Sequence, residues 1–141
     1  MSQRESGFWA EIKRALGKRP FHDLVRIENS CEEGTPDVNY CIGGADGWIE
    51  LKRVELPKRD ATVVKVDHFT GGQRAWLMRR ATAGGRCWVL LRADAETFLF
   101  RGGHAARNLG VTWTKDDCRS RAVYHSSGRV DWDALVKELM V

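Results

Sequence analysis

Apolar residues recur at helical spacing over residues 6–17, where Phe8, Trp9, Ile12, Ala15 and Leu16 share one face. Ser6 is a suitable N-cap, Gly17 ends the helix, and Pro20 blocks its continuation. Residues 21–29 read as a strand, with Val25 and Ile27 on one side and Arg26 and Glu28 on the other. A polar connector over 30–35 leads to Pro36. A second strand runs from Asp37 to Ile42, the segment Gly43 to Gly47 supplies turn chemistry, and a third strand from Trp48 to Val54 returns antiparallel.

The pattern then loosens. Residues 57–60 read as a loop, and Thr62 to Val66 as a short strand. Helical spacing returns from Gly71 to Ala83, with Trp76, Leu77 and Arg80 on one face and Gln73 a turn earlier; Gly84-Gly85 stops it. Arg86 to Arg92 is a short apolar run that suits a buried strand, and Thr97 to Arg101 reads as another. Residues 103–128 are weakly patterned. Asp131 to Met140 closes the chain as an amphipathic helix striped by Trp132, Leu135, Val136 and Leu139. The order is helix, three strands, helix, strand. A helix joining the third and fourth strands makes them parallel, so the expected fold is α/β, a mixed central sheet flanked by helices.

A chain of 141 residues fits a single domain over 1–141, with a patterned core at about 6–101 and an extension at about 102–141. Hydrophobic residues at 43% and charged residues at 30% are an ordinary globular balance, which argues against disorder. The net charge of +4 suits contact with polyanions without establishing it. Local clusters say more: Lys13, Arg14, Lys18 and Arg19 near the start; Arg53, Lys58 and Arg59 after the third strand; Arg74, Arg79 and Arg80 on the second helix. Such clusters can frame a groove for phosphates or form a solvated surface. Cys31, Cys41, Cys87 and Cys118 show neither C-x-x-C spacing nor grouping with His, so a zinc pattern is absent and free thiols in a reducing compartment are expected. No segment reads as a signal peptide or a membrane span, which points to the cytoplasm.

The chemistry concentrates in Gly34-Thr35-Pro36-Asp37 and Trp48-Ile49-Glu50-Leu51-Lys52. Strand alternation puts Glu50 and Lys52 on one face and sends Ile49 and Leu51 to the other. Antiparallel pairing across a short turn brings Asp37, at the start of one strand, beside Glu50 and Lys52 on the next. Two carboxylates can hold a hard cation such as Mg²⁺ by oxygen, with the Leu51 carbonyl as a further ligand and water at the remaining positions. Such an ion polarises a phosphate and acidifies water, and Lys52 can orient that water or offset charge on the phosphate. The same letters also describe an ordinary half-exposed strand after a Pro-Asp turn.

These residues resemble the signature of the PD-(D/E)xK nucleases, with Pro36-Asp37 and Glu50-Leu51-Lys52 as the match. The resemblance is nearest to virus-type replication-repair nucleases and to phage or archaeal Holliday-junction resolvases, and it covers roughly residues 6–92. It implies a restriction-endonuclease-like core of α-β-β-β-α-β order, Mg²⁺ with Mn²⁺ as substitute, and a nucleic-acid substrate. It also implies a Gln on the helix after the motif, where Gln73 stands, although Thr70-x-x-Gln73 has capping-box spacing too. Resolvase-like members add a metal-linked Glu on the first helix, for which Glu11 is the candidate and Glu28, at the end of the first strand, the rival. His68, near the second helix, could contact phosphate but reads rather as a surface residue.

The leading expectation is a Mg²⁺-dependent endonuclease acting on DNA. A chain without a recognisable base-reading module favours shape over sequence, hence branched DNA, and cutting two strands would call for a two-fold homodimer. The alternatives are a non-catalytic nucleic-acid-binding or assembly protein that keeps the fold, and an RNA endonuclease of the same superfamily. A phage origin would place the protein in the host cytoplasm.

Overall fold

The computed structural model describes residues 2–28 and 32–141, with the Gln3 side chain set aside. The end of the expected first strand, part of the connector and Cys31 therefore lie outside the described residues. Eleven elements follow in order: α1 (Gln3–Leu16), β1 (His22–Arg26), β2 (Val38–Ile42), β3 (Ala45–Val54), α2 (Gly71–Thr82), β4 (Cys87–Ala93), β5 (Glu96–Arg101), α3 (Gly102–Asn108), α4 (Lys115–Arg121), β6 (Tyr124–Ser127) and α5 (Trp132–Leu139). The six strands form one sheet in the order β1-β2-β3-β4-β5-β6. Every neighbouring pair is antiparallel except β3 and β4, which α2 connects in parallel. The core thus has the expected α-β-β-β-α-β order in a mixed sheet flanked by helices.

Strand alternation divides the core between the two faces of the sheet. Val89, Leu91, Phe98 and Phe100 pack with Trp76 and Leu77 of α2, Ala105 of α3 and Cys118 of α4. Ile49, Leu51, Trp88, Leu90 and Leu99 pack with Phe8, Ile12 and Leu16 of α1 and Leu135 and Leu139 of α5. Each Val, Leu, Ile or Phe among them contributes about 1.5–3 kcal/mol when fully buried. The expected extension is therefore part of the fold: β6 widens the sheet and α5 covers one of its faces. Tyr40 ties the end of α5 to the sheet, donating its hydroxyl to the Leu139 carbonyl at 2.6 Å while accepting from Trp88 Nε1 at 2.8 Å.

Several local expectations are corrected. Helix α1 starts at Gln3, because Ser2 rather than Ser6 is its N-cap in a capping box with Glu5. On β1 the inward side chains are Leu24 and Arg26, and Val25 is exposed, the reverse of the alternation read from Val25 and Ile27. The turn after β2 shrinks to Gly43-Gly44, which pairs Ile42 with Ala45. Both glycines have positive φ, 56° and 85°, the conformation a two-residue hairpin turn needs. Residues 62–66 form no strand, only a single bridge between Val63 and Thr114. The weakly patterned stretch contains α3, α4 and β6. Among the described residues, no helix is long and apolar enough to cross a membrane.

Candidate active site

The hairpin of β2 and β3 gathers the motif. Val38 lies opposite Ile49, so one step further the register sets Asp37 opposite Glu50. Asp37 is held there by two contacts. The Leu51 N–H donates to its Oδ2 at 2.9 Å, and the Ile27 N–H donates to its carbonyl at 2.8 Å. The carbonyl of an extended residue points the same way as its N–H, so the Leu51 carbonyl faces the Asp37 side, where β2 has ended. Gly34 helps to bring the preceding loop in. With φ of 83° it lies so close to the Gly72 carbonyl that a Cβ would sit 2.2 Å from that oxygen, so any side chain would push the loop off the start of α2.

Glu50 and Lys52 share the α2 face of the sheet, but neither is half-exposed: they are 1% and 3% exposed. Lys52 Nζ lies 3.4 Å from Glu50 Oε2. It also donates to the His68 carbonyl at 3.0 Å and to Gln73 Oε1 at 3.1 Å, and lies 5.3 Å from the centre of the Phe69 ring. The ammonium is thus fixed from several sides. Glu50 is not. Neither of its carboxylate oxygens has a hydrogen-bond partner among the described residues, the 3.4 Å approach of Lys52 being off the hydrogen-bonding direction. Burial above all, and then the Asp37 carboxylate, push the Glu50 pKa well above the ordinary range, while Lys52 pulls it down.

A buried carboxylate with no hydrogen bond to either oxygen, its charge met by the Lys52 ion pair but opposed by a second carboxylate, is costly unless a further cation or a proton compensates it. The residues present fit a hard divalent ion. Asp37 and Glu50 would hold it, with the Leu51 carbonyl on the same side; Mg²⁺ commonly uses one or two carboxylates and keeps several waters. Among the described residues, no three His, Cys, Asp or Glu side chains converge into a complete metal cage, so water and substrate would have to supply the other positions.

Asp37, Glu50 and Lys52 line a pocket of about 290 Å³ together with Ser2, Glu5, His68 and Gln73. Gln73 caps α2 and also touches Lys52. Its Oε1 accepts from the Thr70 N–H at 3.0 Å as part of the α2 capping box and from Lys52 at 3.1 Å. Glu11 is not in this pocket. Its carboxylate pairs with Arg92 beside a separate concavity that includes Arg129 and Trp132. The reason is helical phase: residues 5, 8, 12 and 16 form the inward stripe of α1, and position 11 lies off it. Glu28 is also elsewhere, exposed and 3.6 Å from Arg26.

The carboxylate that α1 brings to the pocket is Glu5, which is 9% exposed. Its Oε2 accepts from the Ser2 N–H at 2.6 Å. Two sequence signals mark it: Ser2-x-x-Glu5 is a capping box, and Glu5 extends the Phe8, Ile12, Leu16 stripe by one turn. His68 is exposed, as a surface residue would be, and it also lines the pocket. Among the described residues no cysteine lines this pocket. Burial pushes the thiols of Cys87 and Cys118 up to about 11 and about 12, and neither lines the pocket.

No protein-family model matches this chain, that of the virus-type replication-repair nucleases included, and no curated protein matches it. Among solved structures it is similar to Hjc, a Holliday junction resolvase from the archaeal hyperthermophile Archaeoglobus fulgidus, at 16% identity and a TM-score of 0.47, over 69% of this chain and 76% of that one.

Proposed function

We propose that this protein is a metal-dependent nuclease that hydrolyses phosphodiester bonds in DNA, with Asp37, Glu50 and Lys52 as its centre. The observation that carries the reading is Glu50, buried between Asp37 and Lys52 with no hydrogen bond to either of its oxygens, in a pocket open to solvent. A net charge of +4 is compatible with a polyanionic substrate.

When bound, a divalent ion such as Mg²⁺ or Mn²⁺ supplies Lewis acidity toward the phosphate and makes water more acidic. Asp37 and Glu50 hold it, and the Leu51 N–H fixes the Asp37 carboxylate. Glu5, rather than Glu11, is the first-helix carboxylate that adds negative charge to this set. Lys52, immobilised by the His68 carbonyl and Gln73, sits where its ammonium can orient the attacking water and offset charge that develops on the phosphate. Fixed in advance, it needs little reorganisation during the reaction.

The test is a cleavage panel with Mg²⁺ on linear duplex, single-stranded, flap and four-way-junction DNA, with matched RNA strands. The reading expects cleavage of DNA that stops when the ion is chelated. Preference for the junction, with a dimer in solution, would support action on branched DNA. Tight binding without cleavage of any substrate would favour a binding or assembly role, and cleavage confined to RNA would move the activity to that substrate.

A further inference from the structure

We propose that His68 contacts the substrate, its imidazole donating a hydrogen bond to a backbone phosphate next to the one that is cut. This rests on the reading of the pocket as a nuclease centre. His68 has a φ of 63°, in the left-handed region that non-glycine residues enter only at a cost. That backbone turn has one visible use: the carbonyl accepts from Lys52 Nζ at 3.0 Å. Histidine is among the side chains that enter this region most readily, but the carbonyl alone would be served as well by glycine or asparagine, so the backbone turn leaves the imidazole available to the pocket.

The surroundings make the ring a defined arm. Phe69 is buried at 7%, with its ring 4.1 Å from the Arg74 guanidinium and 5.3 Å from Lys52 Nζ. Thr70 caps α2, its hydroxyl accepting from the Gln73 N–H at 3.2 Å. His68 is therefore pinned at its own carbonyl and followed by a buried ring and a helix cap. Its own side is exposed on the pocket, and the imidazole has no hydrogen-bond, ion-pair or ring partner among the described residues. The other titratable groups lining the pocket are Glu5, Asp37, Glu50 and Lys52. Three are carboxylates, which repel phosphate, and Lys52 is already committed. Among the described residues His68 is the one donor-bearing ring there, and a neutral imidazole suffices for the contact, since either tautomer carries one N–H.

Three substitutions separate the ring from the backbone. His68→Gly keeps the left-handed turn and removes the ring. His68→Asn keeps the turn and a donor, and His68→Ala loses both. Binding is measured with Ca²⁺ in place of Mg²⁺ on a four-way DNA junction, in a series in which each member carries one methylphosphonate. On unmodified DNA, His68→Gly is expected to bind roughly tenfold more weakly than wild type, and His68→Asn within about twofold of it. One methylphosphonate position should weaken wild type by a similar factor and leave His68→Gly unaffected. Wild-type affinity in His68→Gly, or additive losses at every position in the series, would overturn the contact. Such a result with normal Mg²⁺-dependent cleavage by wild type overturns the contact alone. The phosphate-specific loss without cleavage under Mg²⁺ supports the contact and overturns the nuclease reading.

Discussion

Lys52 and Gln73 are bound to each other across the pocket, Nζ donating to Oε1 at 3.1 Å, and the same oxygen caps α2 by accepting from the Thr70 N–H. One side-chain oxygen thus joins the start of a helix to the ammonium that faces Glu50. The position of Lys52 therefore depends on the cap of α2 as well as on its own strand.

The two roles of Gln73 separate by mutation. Thr70→Ala removes the hydroxyl half of the capping box and should lower stability by about 1 kcal/mol. It leaves the Lys52 bond in place, so cleavage should fall less than about threefold. Gln73→Ala loses a comparable share of the cap and also frees Lys52, so cleavage should fall by about tenfold to a hundredfold. Melting curves and single-turnover rates on both variants check this, and equal activity losses would deny Gln73 a positioning role.

Glu5 and Glu11 are both acids of α1 with opposite expectations. Glu5→Gln removes a charge that lines the pocket, so the Mg²⁺ concentration for half-maximal cleavage should rise by about tenfold. Glu11→Gln breaks a partly exposed ion pair with Arg92 and should cost about 1 kcal/mol or less of stability, with the Mg²⁺ requirement unchanged. A metal titration of cleavage for each variant decides between them. A shift in Glu11→Gln with none in Glu5→Gln would reverse the assignment.

Glu50 predicts an unusual pH dependence of stability. A glutamate in the unfolded chain titrates near about 4.3. Burial and Asp37 hold Glu50 well above that range in the native protein, so across the interval the native state keeps a proton that the unfolded chain has released. Stability from this group is full below the unfolded value and is lost as pH rises through the native one. In chelator, melting should therefore occur at lower temperature at about pH 8 than at about pH 6, and Glu50→Gln should flatten that trend. Mg²⁺ should restore wild type at the higher pH and not Glu50→Gln. Glu96, which Arg119 holds below the ordinary range, has the opposite sign and acts at lower pH, as acid removes its charge. Thermal melts across pH with and without Mg²⁺ read all of these effects.

The site was most legible where one strong pattern decided the geometry. The alternation of Ile49, Glu50, Leu51 and Lys52 put Glu50 and Lys52 on one face, whereas the register that sets Asp37 opposite Glu50 comes from a turn of Gly43-Gly44 alone, shorter than the Gly43 to Gly47 turn the sequence suggests. Helix α2, strand β4 and helix α5 each carry enough apolar residues to show their period. The failures have equally local causes. Ser6 masked the earlier cap at Ser2, and with it the place of Glu5 on the inward stripe. Helices α3 and α4 are seven residues each, too short for a stripe to stand out, and β6 is the polar run Tyr-His-Ser-Ser, which alternation does not reveal. The burial of Glu50 and Lys52 was not legible at all, because it arises from α2 and from the segment around His68, distant in sequence.

The most direct measurement is the rate at which purified protein nicks supercoiled plasmid in Mg²⁺, with wild type and Glu50→Ala side by side after circular dichroism has shown both folded. The account predicts chelator-sensitive nicking by wild type and a loss of at least about a thousandfold in Glu50→Ala, which removes the carboxylate that the ion requires. Nicking by Glu50→Ala at the wild-type rate would contradict it.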